Sequence, residues 1–348
     1  MLRILVVDDS SFARRRIRQV LAQAQDIVVV GEAGDGREAV EMAARLQPDL
    51  ITMDYEMPVM DGVSALQRIR QQRPVPVIMI SSLTFAGARV TLMALEAGAS
   101  DFVVKSQIDA TAQGRVSLID KIRALCAAPS PSPHVPSPHA PPPPVAPAPV
   151  ASPSAAQAAW QPRLVIIGAS TGGPPTVRQV LAPLGKDFPL PILVVQHMPE
   201  RFTRAFAERL QESGPLPAQE AVDQQVMKAG QVYVAPGGRQ LLLESEQVLR
   251  MRVVQEPTAQ LYHPSLDLTL GSAAKMVGAK VLVLVLTGMG DDGVRGGRLL
   301  RRAGGRVWAQ QADTCVVNGM PQAMRDAGLV DAVLPPAMMG QRLARQAW

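Results

Sequence analysis

Residues 129–153 hold 12 of the chain's 31 prolines, mixed with Ala, Ser and Val. Such a segment lacks the backbone donors for helix or sheet and the bulk for a core, so extended polyproline-like conformation is its default. One continuous fold through all 348 residues is thereby excluded. The chain divides into residues 1–124, a Pro/Ala/Ser-rich linker over 125–162, and residues 163–348, each flank long enough for its own core. At ~3.1 Å per residue the proline-rich tract reaches roughly 75 Å, so it tethers the flanks loosely.

Composition narrows the function classes. Hydrophobic residues make up 47% and charged residues 19%, which suits packed domains rather than general disorder. Aromatics are only 3%, too few for a base-stacking surface. Residues 1–125 carry 15 basic and 15 acidic side chains, so the whole net charge of +5 falls on the remainder. No basic run is interleaved with aromatics, so nucleic acid is not expected, whereas an acidic protein surface is a compatible partner. Cys126 and Cys315 are too few and too far apart for a disulfide framework or a thiolate zinc site. The longest apolar run, VLVLVL at 281–286, falls far short of the ~20 residues a membrane helix needs, and the N-terminus carries no secretory signal. A cytoplasmic protein that is not membrane-embedded is the expectation. His134 and His139 lie in the proline tract, so histidine chemistry must use His197 or His263.

In residues 1–124, LRILVVDD, IVVVGEAG, DLITMD, PVIMIS and DFVV read as five strands alternating with helices. Ser10 or Asp9 caps the first helix, with Phe12, Ile17, Val20 and Leu21 expected on one face. Alternation of this kind predicts a parallel α/β sheet whose functional groups gather beyond the carboxyl ends of the strands. Asp8 and Asp9 end the first strand and Asp54 the third. Three converging carboxylates need a cation, and hard oxygen ligands suit Mg²⁺. One of them can then accept a phosphoryl group, with Lys105 neutralising its oxygens and Ser81 donating to one. The competing reading, that these acids are helix caps, does not account for all five residues falling at successive strand ends.

VVDDS, MDYEMPVMDG, ISS and VVK resemble the receiver domain of two-component response regulators over essentially all of residues 1–124. The resemblance implies a flavodoxin-like five-stranded sheet and phosphorylation of Asp54 by a histidine kinase. It also implies Mg²⁺ on Asp9, Asp54 and the backbone carbonyl of Glu56 with Asp8 assisting, and switching through Ser81, Phe102 and Lys105. Ser106 follows Lys105 where the family usually has proline.

Residues 163–348 repeat the alternation, with RLVIIGA, LPILVVQ and VLVLVLTG as strands, and predict a doubly wound, mostly parallel α/β sheet. No helix-turn-helix with a basic recognition helix follows the linker, which disfavours a transcription factor. In RLVIIGASTGGPP a strand enters a small-residue turn and a helix begins. The turn either cradles an anion on its amides or presents Ser170 as a nucleophile. It has no lysine, so a Walker-type nucleotide loop is excluded. A third possibility is that Ser170 merely caps the helix.

His197 ends the second strand, and Asp291 and Asp292 follow the third in TGMGDDG. Serine, histidine and an acid at three strand ends of one sheet can meet as a nucleophile, its base and the group that orients the base. The chain order Ser–His–Asp differs from that of α/β-hydrolases. His263 with Asp223 would restore that order, but His263 precedes a helix start rather than ending a strand. Backbone N–H groups of Thr171 and of the loop around Met289 are placed to stabilise an oxyanion, with Gly288 and Gly290 permitting close approach.

GASTGG, QHMP, HPSLD, LTGMGDDG and VVNGMP, in this order after a receiver, resemble the chemotaxis methylesterase family. The resemblance implies hydrolysis of glutamate γ-methyl esters on methyl-accepting chemoreceptors and deamidation of receptor glutamines. It implies Ser170, His197 and Asp292 as the triad, with Asp291 at a variable position, and no cofactor for the hydrolysis itself. A chemotaxis histidine kinase is the implied phosphodonor, and the unphosphorylated receiver is implied to cover the active site.

Overall fold

The computed structural model describes residues 1–108, 117–127, 160–244, 248–255 and 261–348. The proline-rich tract, with His134 and His139, lies outside the described residues. In the first part five strands, β1 (Leu2–Val7), β2 (Ile27–Ala33), β3 (Leu50–Asp54), β4 (Val77–Ser81) and β5 (Asp101–Val104), form a parallel sheet in the order 2-1-3-4-5. That is the flavodoxin-like order, with its switch point between β1 and β3. Helices α1 (Ser11–Leu21), α2 (Gly36–Leu46), α3 (Gly62–Gln72), α4 (Phe85–Glu96) and α5 (Leu118–Ala127) alternate with the strands.

Local chemistry starts these helices where the sequence places caps. Ser10 accepts from Ala13 N–H, Asp35 from Arg37 and Glu38, Asp61 from Ser64, and Thr84 from Gly87. In α1, Ile17, Val20 and Leu21 are buried as expected, but Phe12 is 73% exposed. Five residues at 100° each separate Phe12 from Ile17 by about 140°, so the two cannot share a face.

The second part is built on a seven-stranded sheet in which every neighbouring pair is parallel. Its strands are β6 (Leu164–Ala169), β7 (Ile192–Gln196), β8 (Ala218–Glu220), β9 (Val232–Val234), β12 (Val281–Val285), β13 (Arg306–Gln310) and β14 (Ala332–Leu334), in the order 14-13-12-6-7-9-8. An antiparallel hairpin, β10 (Gln240–Glu244) with β11 (Arg250–Val254), stands apart from it. The helices are α6 (Gly173–Leu181), α7 (Phe202–Ser213), α8 (Leu266–Met276), α9 (Val294–Arg302), α10 (Gly319–Asp326) and α11 (Pro336–Ala344). The chain starts at the central β6 and winds outward in both directions, so the crevice at the carboxyl ends of β7, β6 and β12 is a topological switch point.

The two parts share one apolar cluster, which runs from Leu95, Phe102 and Val104 into Phe202, Ala205 and Phe206. The Phe102 and Phe202 rings stack with centroids 4.6 Å apart and planes 7° apart. Around this contact Glu96 pairs with Arg178 at 2.5 Å and Arg209 at 2.7 Å, and Arg89 with Glu212 at 2.9 Å. Phe202 is fully buried and touches both parts. Truncation by Phe202→Ala is expected to lower the free energy of unfolding by about 3–5 kcal/mol. The measurement is the denaturant midpoint of the full chain; a loss below about 1 kcal/mol would mean the stack is incidental.

Candidate functional site

The first site sits at the carboxyl edge of the first sheet. Oxygen atoms of Asp8, Asp9 and Asp54 lie within 4.8 Å of one another. Lys105 Nζ is 2.7 Å from Asp54 Oδ2 and 3.1 Å from Asp8 Oδ2. With Ser106 after it rather than proline, Lys105 opens a 3₁₀ turn through Gln107 and still reaches both acids. Asp8 is fully buried, and its Oδ2 meets Lys105 without hydrogen-bond geometry, which leaves a lone pair uncommitted. Burial pushes Asp54 up to about 6, with Asp8 adding to the rise and Lys105 opposing it. A hard divalent cation would relieve that crowding, and the donor set is all oxygen, so these residues fit Mg²⁺. Glu56 is exposed at the adjoining loop. Ser81 is buried, with its Oγ 2.7 Å from Thr91 Oγ1, and Phe102 faces inward against Phe202 rather than outward to solvent.

The second site sits on the crevice of the larger sheet. Ser170 follows β6, and the N-cap of α6 is Gly172, so Ser170 is not the helix cap. Its backbone is clamped: Ser170 N–H donates to Thr287 O at 3.0 Å, Ser170 O accepts from Gln196 Nε2 at 2.8 Å, and Thr287 Oγ1 donates to Thr171 O at 2.9 Å. Among the described residues no hydrogen bond uses the N–H of Thr171 or Met289. Gly288 packs on Ser170, where an added Cβ would lie 2.7 Å from Ser170 Cβ.

His197 follows β7 and is nearly buried; its Nε2 is 2.8 Å from Asp292 Oδ2. Asp292 also accepts from Ser265 Oγ at 2.9 Å, Leu266 N–H at 2.7 Å and Asp267 N–H at 3.0 Å, the first turn of α8. Burial raises its pKa, but His197 and the two amides outweigh that and hold the carboxyl below its ordinary value. An ionised acceptor at Nε2 fixes the histidine hydrogen there and leaves the lone pair on Nδ1. That Nδ1 is buried and has no hydrogen-bond partner. Asp291 is exposed and is not part of this cradle. Asp223 accepts from Val253 N–H in the hairpin and is not paired with His263.

The crevice is closed on one side by the first part. Asp101, at the start of β5, accepts from Thr171 Oγ1 at 2.6 Å and pairs with Lys121 at 2.6 Å. Phe102 and Lys121 face Ser170, Thr171 and His197 across a cavity of about 90 Å³. A wider cleft of about 220 Å³ opens past His197 between Leu261, Tyr262 and Met289. Gln196, Thr287, Ser265 and Tyr262 also belong to the site and are not among the residues the sequence singles out. Gln196 and Ser265 stand beside predicted residues in QHMP and HPSLD, but a single amide or hydroxyl gives no periodic signal.

Residues 165–343 match the CheB methylesterase family model and residues 4–114 the response regulator receiver domain. A protein-glutamate methylesterase/protein-glutamine glutaminase of Pseudomonas aeruginosa is 46% identical, with 98% of each chain covered. One of Saccharophagus degradans is 41% identical, again with 98% of each covered. The crystal structure of the Thermotoga maritima CheB methylesterase catalytic domain is 38% identical and superposes with a TM-score of 0.51 over 53% of this chain and 99% of that one.

Replacing Asp292 by Asn would put an amide among four donors. The variant is expected to be less stable at neutral pH by about 2–4 kcal/mol. Because the folded-state pKa lies below the ordinary 3.8, the carboxylate's contribution is full above that value and lost as pH falls through the lower folded one. The gap between variant and parent should therefore narrow on acidification, as read by denaturant unfolding at a series of pH values.

Proposed function

The chain belongs to the CheB methylesterase family, and on that premise we propose that it hydrolyses glutamate γ-methyl esters of chemoreceptors and deamidates receptor glutamines through Ser170, His197 and Asp292. The observation that carries the reading is the buried His197–Asp292 pair at 2.8 Å, with His197 Nδ1 left without a partner and both His197 and Ser170 lining one crevice.

Ser170 Oγ attacks the γ-carbonyl carbon as its proton passes to His197 Nδ1. The oxyanion is stabilised by the uncommitted N–H groups of Thr171 and Met289. Collapse breaks the bond to the leaving group, which departs as methanol, or as ammonia from glutamine, with the proton from His197. Water then attacks the acyl-serine, giving one proton to His197, which returns it to Ser170 as the glutamate is released. Asp292 stays ionised and stabilises the imidazolium.

In the receiver, Asp8, Asp9, Asp54 and the Glu56 carbonyl would hold Mg²⁺, which when bound neutralises phosphoryl oxygens. Asp54 is the phosphate acceptor, Lys105 pairs with the incoming charge, and Ser81 and Phe102 respond to it. The donor is a histidine kinase of the chemotaxis type. No described helix is long and apolar enough to cross a membrane, and we assign the protein to the cytoplasm. The receiver face that carries Asp101, Phe102 and Lys121 stands against the crevice, so a receptor segment reaches Ser170 only when that face withdraws.

Ser170→Ala is expected to abolish methanol release from methylated receptor while receptor binding persists; retained hydrolysis would sink the serine mechanism. Because effective concentration falls as about the −3/2 power of length, shortening residues 128–159 to about ten is expected to lower unphosphorylated activity roughly fivefold. Basal activity unchanged by the shortening would mean that the tether does not set docking.

A further inference from the structure

Tyr262 lines the wider cleft beside His197 and Met289, which Lys121 of the receiver also borders. Its ring is stacked on the imidazole of His197, with centroids 4.2 Å apart and planes 10° apart. Its hydroxyl rests against Gly290, where an added Cβ would lie 2.5 Å from the oxygen. Gly290 itself has φ of +82°, so both space and backbone conformation call for glycine there. The ring is not what shapes its own loop. Tyr262 O accepts from Gln240 Nε2 at 2.8 Å, and Gln240 Oε1 accepts from Ser265 N–H at 2.8 Å, so a fully buried side chain pins the backbone on both sides.

We propose that Tyr262 is a positioning residue of the hydrolytic site, its ring fixing the plane of His197. This rests on the reading of Ser170 and His197 as nucleophile and base. Asp292 holds the imidazole at a single atom, Nε2, and one hydrogen bond leaves the ring free to tilt about that contact. A parallel aromatic face removes the tilt and excludes water from one side of the ring. The same π-face favours the imidazolium over neutral imidazole, a charge that exists only as the reaction proceeds, so the benefit falls on turnover rather than on substrate binding. A contact of this kind is worth about two- to thirtyfold in rate.

The test uses the full chain activated with a small-molecule phosphodonor and a peptide carrying a glutamate γ-methyl ester. Tyr262→Leu is expected to lower kcat about tenfold with KM within about twofold of the parent, and Tyr262→Phe to restore kcat to within about threefold. Proton NMR of the His197 ring gives a readout independent of substrate. Shielding by the stacked ring should be present in the parent and in Tyr262→Phe and absent in Tyr262→Leu. Unchanged kcat in Tyr262→Leu, a loss confined to KM, or Tyr262→Phe as impaired as Tyr262→Leu would each overturn the assignment. Ser170→Ala keeps the stack, so hydrolysis surviving in that variant would overturn the underlying reading while leaving the NMR result to judge Tyr262.

Discussion

A carboxylate taken out of water must be surrounded by donors or it takes up a proton. Asp292 is buried and is held ionised by His197, Ser265 Oγ and two amides of the first turn of α8. That need fixes the path of the chain. The N-terminus of α8 has to abut the loop after β12, so residues 261–265 have to cross the crevice. The β10–β11 hairpin carries none of the reacting groups, yet it makes this possible. Gln240 pins the crossing segment, while Thr269 Oγ1 donates to Leu241 O and Leu243 N–H to Ser272 Oγ along the face where α8 packs. Removing the hairpin would undo the site from behind, through Ser265 and Asp292, without touching Ser170.

The contacts between receiver and catalytic part differ widely in worth. Arg89 and Glu212 are about half exposed, and pairs of that kind contribute about 0–1 kcal/mol. Glu96 is largely covered and accepts from both Arg178 and Arg209, which lowers its pKa despite a burial penalty that acts the other way. The Phe102–Phe202 stack and the buried hydrogen bond from Thr171 to Asp101 lie at the centre. Apolar contact and a desolvated charged acceptor outweigh a rim of screened ion pairs, so the centre specifies the docking. It also means that the segment touching the turn that carries Ser170 is β5, the strand whose far end delivers Lys105 to Asp54.

The strands that lead into the candidate site residues are legible in the sequence as apolar runs: LRILVV before Asp8, LITM before Asp54, LVIIGA before Ser170, ILVVQ before His197. The parallel arrangement followed from alternation alone. What stayed hidden had physical reasons. β8, β9 and β14 have three residues each, too short for any period to register. The hairpin carries no motif of its own and meets the loop before α8 through one buried glutamine. Phe12 reads as core by its aromatic character alone, and its helical angle puts it in solvent instead. Tyr262 gave no signal at all, since a tyrosine one residue before His263 says nothing about which histidine it will cover.

Tether and interface can be weighed against each other on one scale. Closing a flexible loop costs about (3/2)RT ln n, so each doubling of its length adds only about 0.6 kcal/mol. Burying an aromatic pair face to face contributes about 0.5–1.5 kcal/mol beyond its area term, and a hydrogen bond to a charged acceptor about 1.5–3 kcal/mol. Shortening the tether over 128–159 from 32 residues to about ten therefore shifts the balance by about 1 kcal/mol. A single substitution at Asp101, Phe102 or Phe202 moves the balance by as much as several doublings would.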